Sequence, residues 1–375
     1  MPDEFAKNDD VLDSMWDSWD TKAEIQDPFL SVYISERIAY EAYEAGDLIN
    51  AVSLYENAVN ISLNSDNLNR ACDNLFWQGH CLWILGSFKK ALSCFLKAEN
   101  YGELSRHTAF YNLYSLVHLS HDLALSKEEV DNLLIQIIPY RQNLEYGGSK
   151  SMVLNLESDI LHGRGKNDEA LSKAQEAFAE RVTGSPPSYD DFMYYGNLID
   201  SYRIVKDFES AHEYLEQWKR EGSLKFSDTP LKQRIALFKL LVDEKKYDEA
   251  IDIIPIIRKE MLLLGQKNVF DDVWFYEIEL CIATEDVSRI NRLIFDYLKH
   301  FRNSESFDVK YKCYYSVLHY SLFMYNYSHD SKWKRHIKNW FKRTQGLALL
   351  LLERRASNHF VNELAMLTSM YNYSI

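Results

Sequence analysis

Residue types that carry out chemistry are present in this sequence, but not at the spacing that a catalytic or metal-binding site requires. His118 and His121 lie three positions apart, yet no cysteine or carboxylate stands at ligand spacing beside them. Asp190 and Asp191 follow a Pro-Ser-Tyr loop, where they are expected to cap a helix. No Gly-rich phosphate loop, nucleophile elbow or His-Glu-x-x-His motif occurs. We therefore predict no enzyme, no metal site and no cofactor.

A basic segment, residues 331–355, carries side chains of the type that bind acidic groups. It contains eight bases and one acid, Glu353. The bases expected to form a surface patch are Lys332, Lys334, Arg335, Lys338, Lys342 and Arg343. Three aromatic residues of the segment, Trp333, Trp340 and Phe341, are of the kind that stacks on nucleobases. The alternatives are helices that cap a larger fold, a docking surface for an acidic partner or phosphate, and contact with nucleic acid.

The elements that position such side chains follow from an internal repeat of about forty residues. Five segments share a polar turn, an aromatic or apolar residue, two polar residues and an alanine. The alanines, and the two residues that replace them in weaker copies, are Ala51, Ala91, Val130, Ala170, Ala211, Ala250 and Ile290. Neighbouring positions differ by 39 to 41 residues, for example 91 − 51 = 40. Each unit is predicted to be a helix, a turn and a second helix, with the small residue where the helices cross.

The repeat resembles the tetratricopeptide repeat. Gly79 matches the family's small residue on the first helix, helix A, and residues 86–88 match its Gly-Asp-Tyr-type turn. Ala91, Phe95 and Ala98 match the Ala-x3-aromatic-x2-Ala pattern of the second helix, helix B. The family's usual unit has 34 residues, so units of about forty imply longer helices or loops. The resemblance implies an all-α, right-handed α-solenoid of about seven helix-turn-helix repeats with terminal capping helices.

The resemblance further implies a concave groove lined by the A helices, which binds a protein or peptide partner. Counting back from each turn places eleven side chains in it: Tyr40, Tyr43, Phe76, His80, Trp83, Asn155, Asp159, Asn197, Asp200, Arg203 and Lys239. Rings followed by amides and charges suit an extended peptide, because asparagine pairs with both the donor and the acceptor of a peptide backbone. The alternative is that these side chains pack against adjacent repeats.

Three regions are expected along the chain. Residues 1–30 form an acidic, Trp-containing segment, residues 31–303 the solenoid, and residues 304–375 the capping helices with the basic patch. In the first region, the apolar residues at positions 12, 15, 16 and 19 share one face of a helix. This segment is expected to pack on the first repeat, to dock on a partner or on the chain's own basic segment, or to be disordered.

Composition limits the class and the compartment. The chain has 375 residues, of which 46% are hydrophobic, and this excludes a wholly disordered protein. The net charge of −14 disfavours nucleic-acid binding through the whole surface. Five cysteines without a Cys-x-x-Cys pair, no secretory signal and no apolar run long enough to span a membrane favour a cytoplasmic or nuclear protein.

The function predicted from these features is a non-catalytic interaction scaffold or adaptor. We expect a subunit of a multiprotein complex that binds an extended segment of a partner in the concave groove. One alternative is a peptide-responsive regulator whose solenoid tightens on binding. The other is contact with nucleic acid or phosphate through the basic C-terminal helices.

Overall fold

The computed structural model describes residues 28–101, 106–142, 149–180, 189–221, 229–263 and 271–371. Within these ranges the regular structure is helical throughout, with no strand. The predicted all-α solenoid is confirmed. The predicted acidic segment lies, up to residue 27, outside the described residues.

Seventeen α-helices make up the described ranges, with a short 3-10 helix, Ile138–Gln142, after α6. They are α1 (Pro28–Glu44), α2 (Leu48–Asn64), α3 (Leu68–Ile84), α4 (Phe88–Tyr101), α5 (Arg106–Asp122), α6 (Lys127–Ile137), α7 (Ser149–Gly163), α8 (Asn167–Ala179), α9 (Tyr189–Ile204), α10 (Phe208–Glu221), α11 (Thr229–Asp243), α12 (Tyr247–Leu263), α13 (Asp271–Ala283), α14 (Val287–Phe301), α15 (Phe307–Ser328), α16 (Lys332–Arg355) and α17 (His359–Met370).

Helices α1 to α14 form seven consecutive pairs, and α15 and α16 form one more pair of longer helices. Within each pair a turn of only three or four residues joins helix A, which is odd-numbered, to helix B, which is even-numbered. Helix α17 packs on α16 and occupies the position of a further helix A.

The predicted small residues lie where the two helices of a pair cross. All five repeat alanines are completely buried, and so is Ile290. In the second pair, a Cβ atom at Gly79 would stand 2.7 Å from the ring of Phe95, closer than carbon atoms pack. Gly79 therefore sets how closely α3 and α4 approach each other.

Each turn within a pair contains one residue with positive φ. These residues are Gly46, Gly86, Ala124, Gly165, Lys206, Lys245, Glu285 and His329. In the first turn the Gly46 amide donates to the Tyr43 carbonyl, and the Asp47 amide donates to the Ala42 carbonyl, both at 2.9 Å. This is the Schellman arrangement, which ends a helix with one left-handed residue. The recurring polar turn of the sequence supplies this left-handed residue at intervals of about forty residues.

Contacts between distant parts of the sequence join the last helices to the early pairs. The Lys89 amide, in the second pair, donates to a carboxylate oxygen of Glu305 at 2.8 Å. The Arg355 guanidinium donates to the His121 carbonyl of the third pair at 2.6 Å. A Cβ atom at Gly165, in the fourth pair, would stand 3.3 Å from the Cβ of His359. The array therefore curves far enough for its last helices to meet the turns of the second to fourth pairs.

Candidate partner-binding groove

The candidate site is the groove formed by the A helices, where side chains of successive A helices meet. Its first part, the aromatic section, comes from α1, α3 and α5 and consists of Tyr40, Tyr43, Trp77, His80, Trp83 and His118. Its second part, the polar section, comes from α7, α9, α11, α13 and α15 and consists of Asn155, Asp159, Asn197, Asp200, Arg203, Lys239, Asp272, Tyr276 and Lys312.

The rings of the aromatic section touch one another from helix to helix. The ring of Trp77 lies 6.0 Å from that of Tyr40, edge to face, and 5.6 Å from that of Tyr43. The Trp83 ring lies 6.1 Å from His80 and 5.5 Å from His118. Tyr40, Tyr43 and Trp83 are half-buried, so each supports its neighbours while one side remains open to a ligand.

His80 is the polar centre of the aromatic section. Its Nε2 lies 3.4 Å from the hydroxyl oxygen of Tyr43, whereas its Nδ1 is buried and has no hydrogen-bond partner among the described residues. Burial lowers the pKa of His80 to about 4. The imidazole is therefore neutral at pH 7.

Phe76 was predicted to line the groove, but it belongs to the core. It is only 8% exposed, and its ring lies 5.9 Å from the ring of Phe95 on helix B of the same pair. Successive residues of an α-helix point about 100° apart. The groove-facing ring at this level is the next residue, Trp77, which the sequence analysis did not select.

The polar section begins with an amide that links α7 to α9. Asn197 donates from Nδ2 to the side-chain oxygen of Asn155 at 2.8 Å and to a carboxylate oxygen of Asp159 at 2.9 Å. Asn155 is only 4% exposed. These two asparagines therefore hold adjacent repeats together, as the alternative interpretation of the groove residues anticipated, while Asp159 keeps partial exposure.

Asp159 is a groove carboxylate whose pKa is raised toward neutral pH. Burial raises the pKa of Asp159 to about 7, and the nearby carboxylates of Asp122 and Asp200 add to this effect. The hydrogen bond from Asn197 opposes it, but more weakly. Asp159 therefore titrates much closer to neutral pH than an ordinary aspartate does. A cationic group placed beside Asp159 would favour its charged form.

The charges of the polar section are paired with alternating sign along α9, α11, α13 and α15. The Lys239 ammonium lies 2.6 Å from a carboxylate oxygen of Asp200 and 3.1 Å from one of Asp272. Lys312 donates to the other oxygen of Asp272 at 2.5 Å. Burial alone would lower the pKa of Lys239, but the two aspartates raise it above its ordinary value. Lys239 is 7% exposed, so it serves this network more than a partner.

Arg203 joins the same network from α9. Its Nε donates to Asp200 at 3.0 Å, and its Nη1 donates to Asp243 and to the hydroxyl oxygen of Tyr276. Burial alone would raise the pKa of Asp200, but Lys239 and Arg203 hold it below its ordinary value. The side chains of Asp200 and Arg203 are therefore already satisfied, and reversing either charge would disturb the packing between repeats.

Sequence reasoning missed Trp77, Asp272, Tyr276 and Lys312. Extended from Asp159, Asp200 and Lys239, the forty-residue period leads to Glu279 and His319 and not to Asp272 or Lys312. Asp272 lies in the seventh pair and Lys312 in the eighth, beyond the last predicted groove position, Lys239 in the sixth. Each of the other predicted residues contacts a side chain on another A helix. The contacts are Tyr43 with His80, Tyr40 with Trp77, Trp83 with His118, Asp159 with Asn197, Asp200 with Lys239, and Arg203 with Tyr276.

The predicted basic patch lies on α16, outside the groove, and all six of its residues are exposed. Two of the aromatic residues between them point inward. The ring of Trp340 packs at 5.4 Å from Tyr314, and the ring of Trp333 packs at 5.3 Å from Tyr320. Both tryptophan rings therefore pack against tyrosine rings of α15, which weakens the expectation that they stack on nucleobases.

The part of the chain that the structure describes has neither a metal-binding cluster nor a membrane-spanning helix. No cluster of three or more histidine, cysteine or acidic side chains could hold a metal ion. None of the described helices combines the length and the apolar composition needed to cross a lipid bilayer.

No protein-family model matches the sequence, and no curated protein sequence does. Solved structures do match the fold. A Rap protein complexed with competence and sporulation factor aligns with a TM-score of 0.58 and 14% identity, over 86% of this chain and 99% of that one. The human IFIT1 dimer with PPP-AAAA aligns with a TM-score of 0.51 and 15% identity, over 89% of this chain and 78% of that one. The predicted resemblance to the tetratricopeptide repeat fold is confirmed at the level of the fold.

Proposed function

We propose that this chain is a non-catalytic scaffold that binds an extended segment of a protein partner in the groove. The main support for the proposal is the arrangement of side chains in the aromatic section. There, the half-buried rings of Tyr40, Tyr43 and Trp83 lie beside a polar section in which Asp200, Arg203, Lys239 and Asp272 are already paired. Such a surface offers apolar contact and hydrogen bonding, and it lacks the grouping of nucleophile, base and charge stabiliser that catalysis needs.

The two sections favour partner residues of different chemistry. Apolar or aromatic side chains suit Tyr40, Tyr43 and Trp83, because ring contacts bury a large apolar area. A lysine or arginine suits the position beside Asp159, where a cation stabilises the carboxylate that Asp122 and Asp200 destabilise. The partner segment is therefore expected to carry an apolar end and a basic residue.

The matched structures support binding in an array of this shape. The Rap protein is complexed with competence and sporulation factor, and the IFIT1 dimer with PPP-AAAA, so proteins of this fold hold ligands of different kinds. We infer the same general use for this chain. The subunit role in a multiprotein complex and the cytoplasmic or nuclear location belong to the same proposal.

Capture of partners by the purified chain tests this function. The wild type is compared by quantitative mass spectrometry with a double variant, Tyr40→Ala and Trp83→Ala, which removes two half-buried rings. The matched control is Phe295→Ala, which removes a ring that is 70% exposed on α14, a B helix. A partner of the groove is recovered with the wild type and the control and is depleted at least about tenfold with the double variant. Equal recovery with all three folded proteins would contradict the proposal.

A regulator that responds to a small ligand is the second candidate, and the long-range contacts favour it. A ligand bound in the groove contacts several A helices. The Lys89–Glu305 and His121–Arg355 contacts hold the relative positions of these helices. Such a ligand raises the free energy of unfolding by RT ln(1 + [L]/Kd) and therefore raises the melting temperature. A library of short peptides that leaves the melting temperature unchanged would favour the scaffold over the regulator.

A further inference from the structure

A cleft outside the groove lies between α15 and α16. It has a volume of about 600 Å³ and is lined by Tyr314, Asn339, Lys342, Arg343, Gly346 and Leu347. None of the predicted groove residues lines it. We name it the basic cleft. Its volume falls within the ~300–1,000 Å³ typical of sites that take a small ligand or a side-chain cluster.

The cleft combines an apolar lining with basic edges. Tyr314 and Leu347 supply the apolar surface, and a Cβ atom at Gly346 would meet nothing within 4 Å, so this stretch of α16 is open. Lys342 and Arg343 stand exposed at the edge. Neither forms an ion pair with any described residue, although the Arg343 guanidinium lies 5.0 Å from the centre of the Trp340 ring. Both charges remain for an acidic occupant.

The rest of α16 extends the positive surface. Residues 332–355 carry eight bases and one acid, a formal charge of 8 − 1 = +7. Arg355 is buried and Lys332 pairs with Asp330. The other six bases, Lys334, Arg335, Lys338, Lys342, Arg343 and Arg354, are exposed. In a chain with a net charge of −14, this helix is a localised site for an acidic segment.

The sequence contains one segment of matching chemistry. Residues 1–27 carry nine acids and two lysines, a formal charge of 2 − 9 = −7. Trp16 and Trp19 are each followed directly by an aspartate, Asp17 and Asp20. A tryptophan inserted in the cleft would therefore bring a carboxylate close to Lys342 or Arg343, and this pairs apolar burial with charge complementarity.

We propose that residues 11–20 of the chain dock in the basic cleft of the same molecule, with a tryptophan against Tyr314 and Leu347 and the neighbouring aspartates on Lys342 and Arg343. Because the segment and the cleft belong to one chain, docking is intramolecular and does not depend on protein concentration. It weakens as salt rises, since exposed charges are screened over about 8–10 Å. The docked segment occupies the surface that an acidic partner or a nucleic acid would otherwise use.

Photo-cross-linking of the full chain tests this docking. The photoreactive residue p-benzoylphenylalanine replaces Gly346, where the structure leaves space, and in a control chain it replaces Leu349, which is 51% exposed on α16 but does not line the cleft. After irradiation, digestion and mass spectrometry, the position-346 probe is expected to yield links to residues 11–20 at the same fraction at every protein concentration. The position-349 probe is expected to yield few.

Charge reversal makes the test specific to the cleft. Lys342→Glu with Arg343→Glu is expected to lower the cross-link yield by about tenfold, whereas Lys334→Glu with Arg335→Glu changes the net charge equally outside the cleft and has a small effect. Circular dichroism verifies that each variant is folded. The proposal is overturned if links to residues 11–20 are absent, if they form only in covalent dimers whose yield rises with concentration, or if the probe captures co-purified nucleic acid instead.

Discussion

The guanidinium of Arg355 at the end of α16 donates a hydrogen bond to the backbone carbonyl of His121, 2.6 Å away at the end of α5. The two residues are 234 positions apart in the sequence. A second nitrogen of the same guanidinium donates to Asp308, at the start of α15, at 2.7 Å. One side chain therefore joins the last helices to the third helix pair.

Arg355→Met is expected to destabilise the protein by about 2 kcal/mol. The change leaves the carboxylate of Asp308, which Arg355 otherwise stabilises, without its nearest cation, and it leaves the His121 carbonyl without this donor. The loss is smaller than for a fully buried pair because the Asp308 side chain is 27% exposed. Urea unfolding at pH 7 measures the difference. Arg354→Met, at an exposed neighbouring position, is the control, and equal stability of the two variants would contradict the structural role of Arg355.

Gly79→Ala is expected to destabilise the protein by about 1–3 kcal/mol, because the new methyl group overlaps the ring of Phe95. Alanine is normally the better helix former, by up to about 1 kcal/mol. The control is therefore Gly196→Ala on α9. A Cβ atom at this position would have no other atom within 4 Å, so this change is expected to stabilise the protein. Thermal unfolding of both variants gives the comparison.

A partial rescue identifies the cause of the Gly79 effect. Phe95→Leu in the Gly79→Ala background provides room for the methyl group, so the double variant should lose less than the sum of the two single losses. Additive losses would mean that the crossing of α3 and α4 does not depend on this contact.

Lys206→Gly is expected to stabilise the protein by about 0.5 kcal/mol. Lys206 occupies the left-handed position of the turn between α9 and α10, with φ of 66°, where a side chain is strained and glycine is not. The control, Lys97→Gly, places glycine at an exposed position inside α4 and should cost about 1 kcal/mol. Chemical denaturation of the two variants measures the effect, and a destabilised Lys206→Gly variant would contradict the account of the repeat turns.

The repeat elements were predictable from the sequence because each depends on contacts inside one unit. The spacing of Ala91 and Gly79, for example, is set by a single helix crossing, and it recurs along the chain. The groove was harder to predict, because its contacts join residues about forty positions apart on different helices. The distinction between Phe76 and Trp77 depends on a rotation of about 100° around α3. The pairing of Asp272 with both Lys239 and Lys312 depends on how three A helices pack together.

At Pro255 the helix continues through a residue type that usually ends or kinks a helix. A proline inside a helix removes one backbone hydrogen bond and crowds the preceding turn, yet α12 runs from Tyr247 to Leu263 with Pro255 inside it. Ile254 and Ile257 on either side are fully or almost fully buried. The packing of this apolar face compensates for the one backbone hydrogen bond that proline cannot make.

Asp159 gives the protein a specific dependence on pH. The pKa of an unfolded aspartate is about 3.9, whereas burial, Asp122 and Asp200 raise the pKa of Asp159 to about 7 in the folded state. Between these values the folded protein binds a proton that the unfolded chain has released. The contribution of Asp159 to stability is therefore complete below pH 4, and it is lost as the pH rises through 7.

Asp159→Asn removes this dependence, since asparagine does not titrate. The stability of the variant relative to the wild type is expected to rise between pH 5 and pH 8, by about 2 kcal/mol after allowance for solvent screening. Urea unfolding at both pH values measures the two differences, and Asp168→Asn, at an exposed position on α8, is the control. Histidines that titrate in the same range act equally in both proteins and cancel in the comparison. If the stability of the variant relative to the wild type is the same at pH 5 and pH 8, Asp159 is already ionised in the folded groove. The predicted preference for a basic residue of the partner at this position would then lose its physical basis.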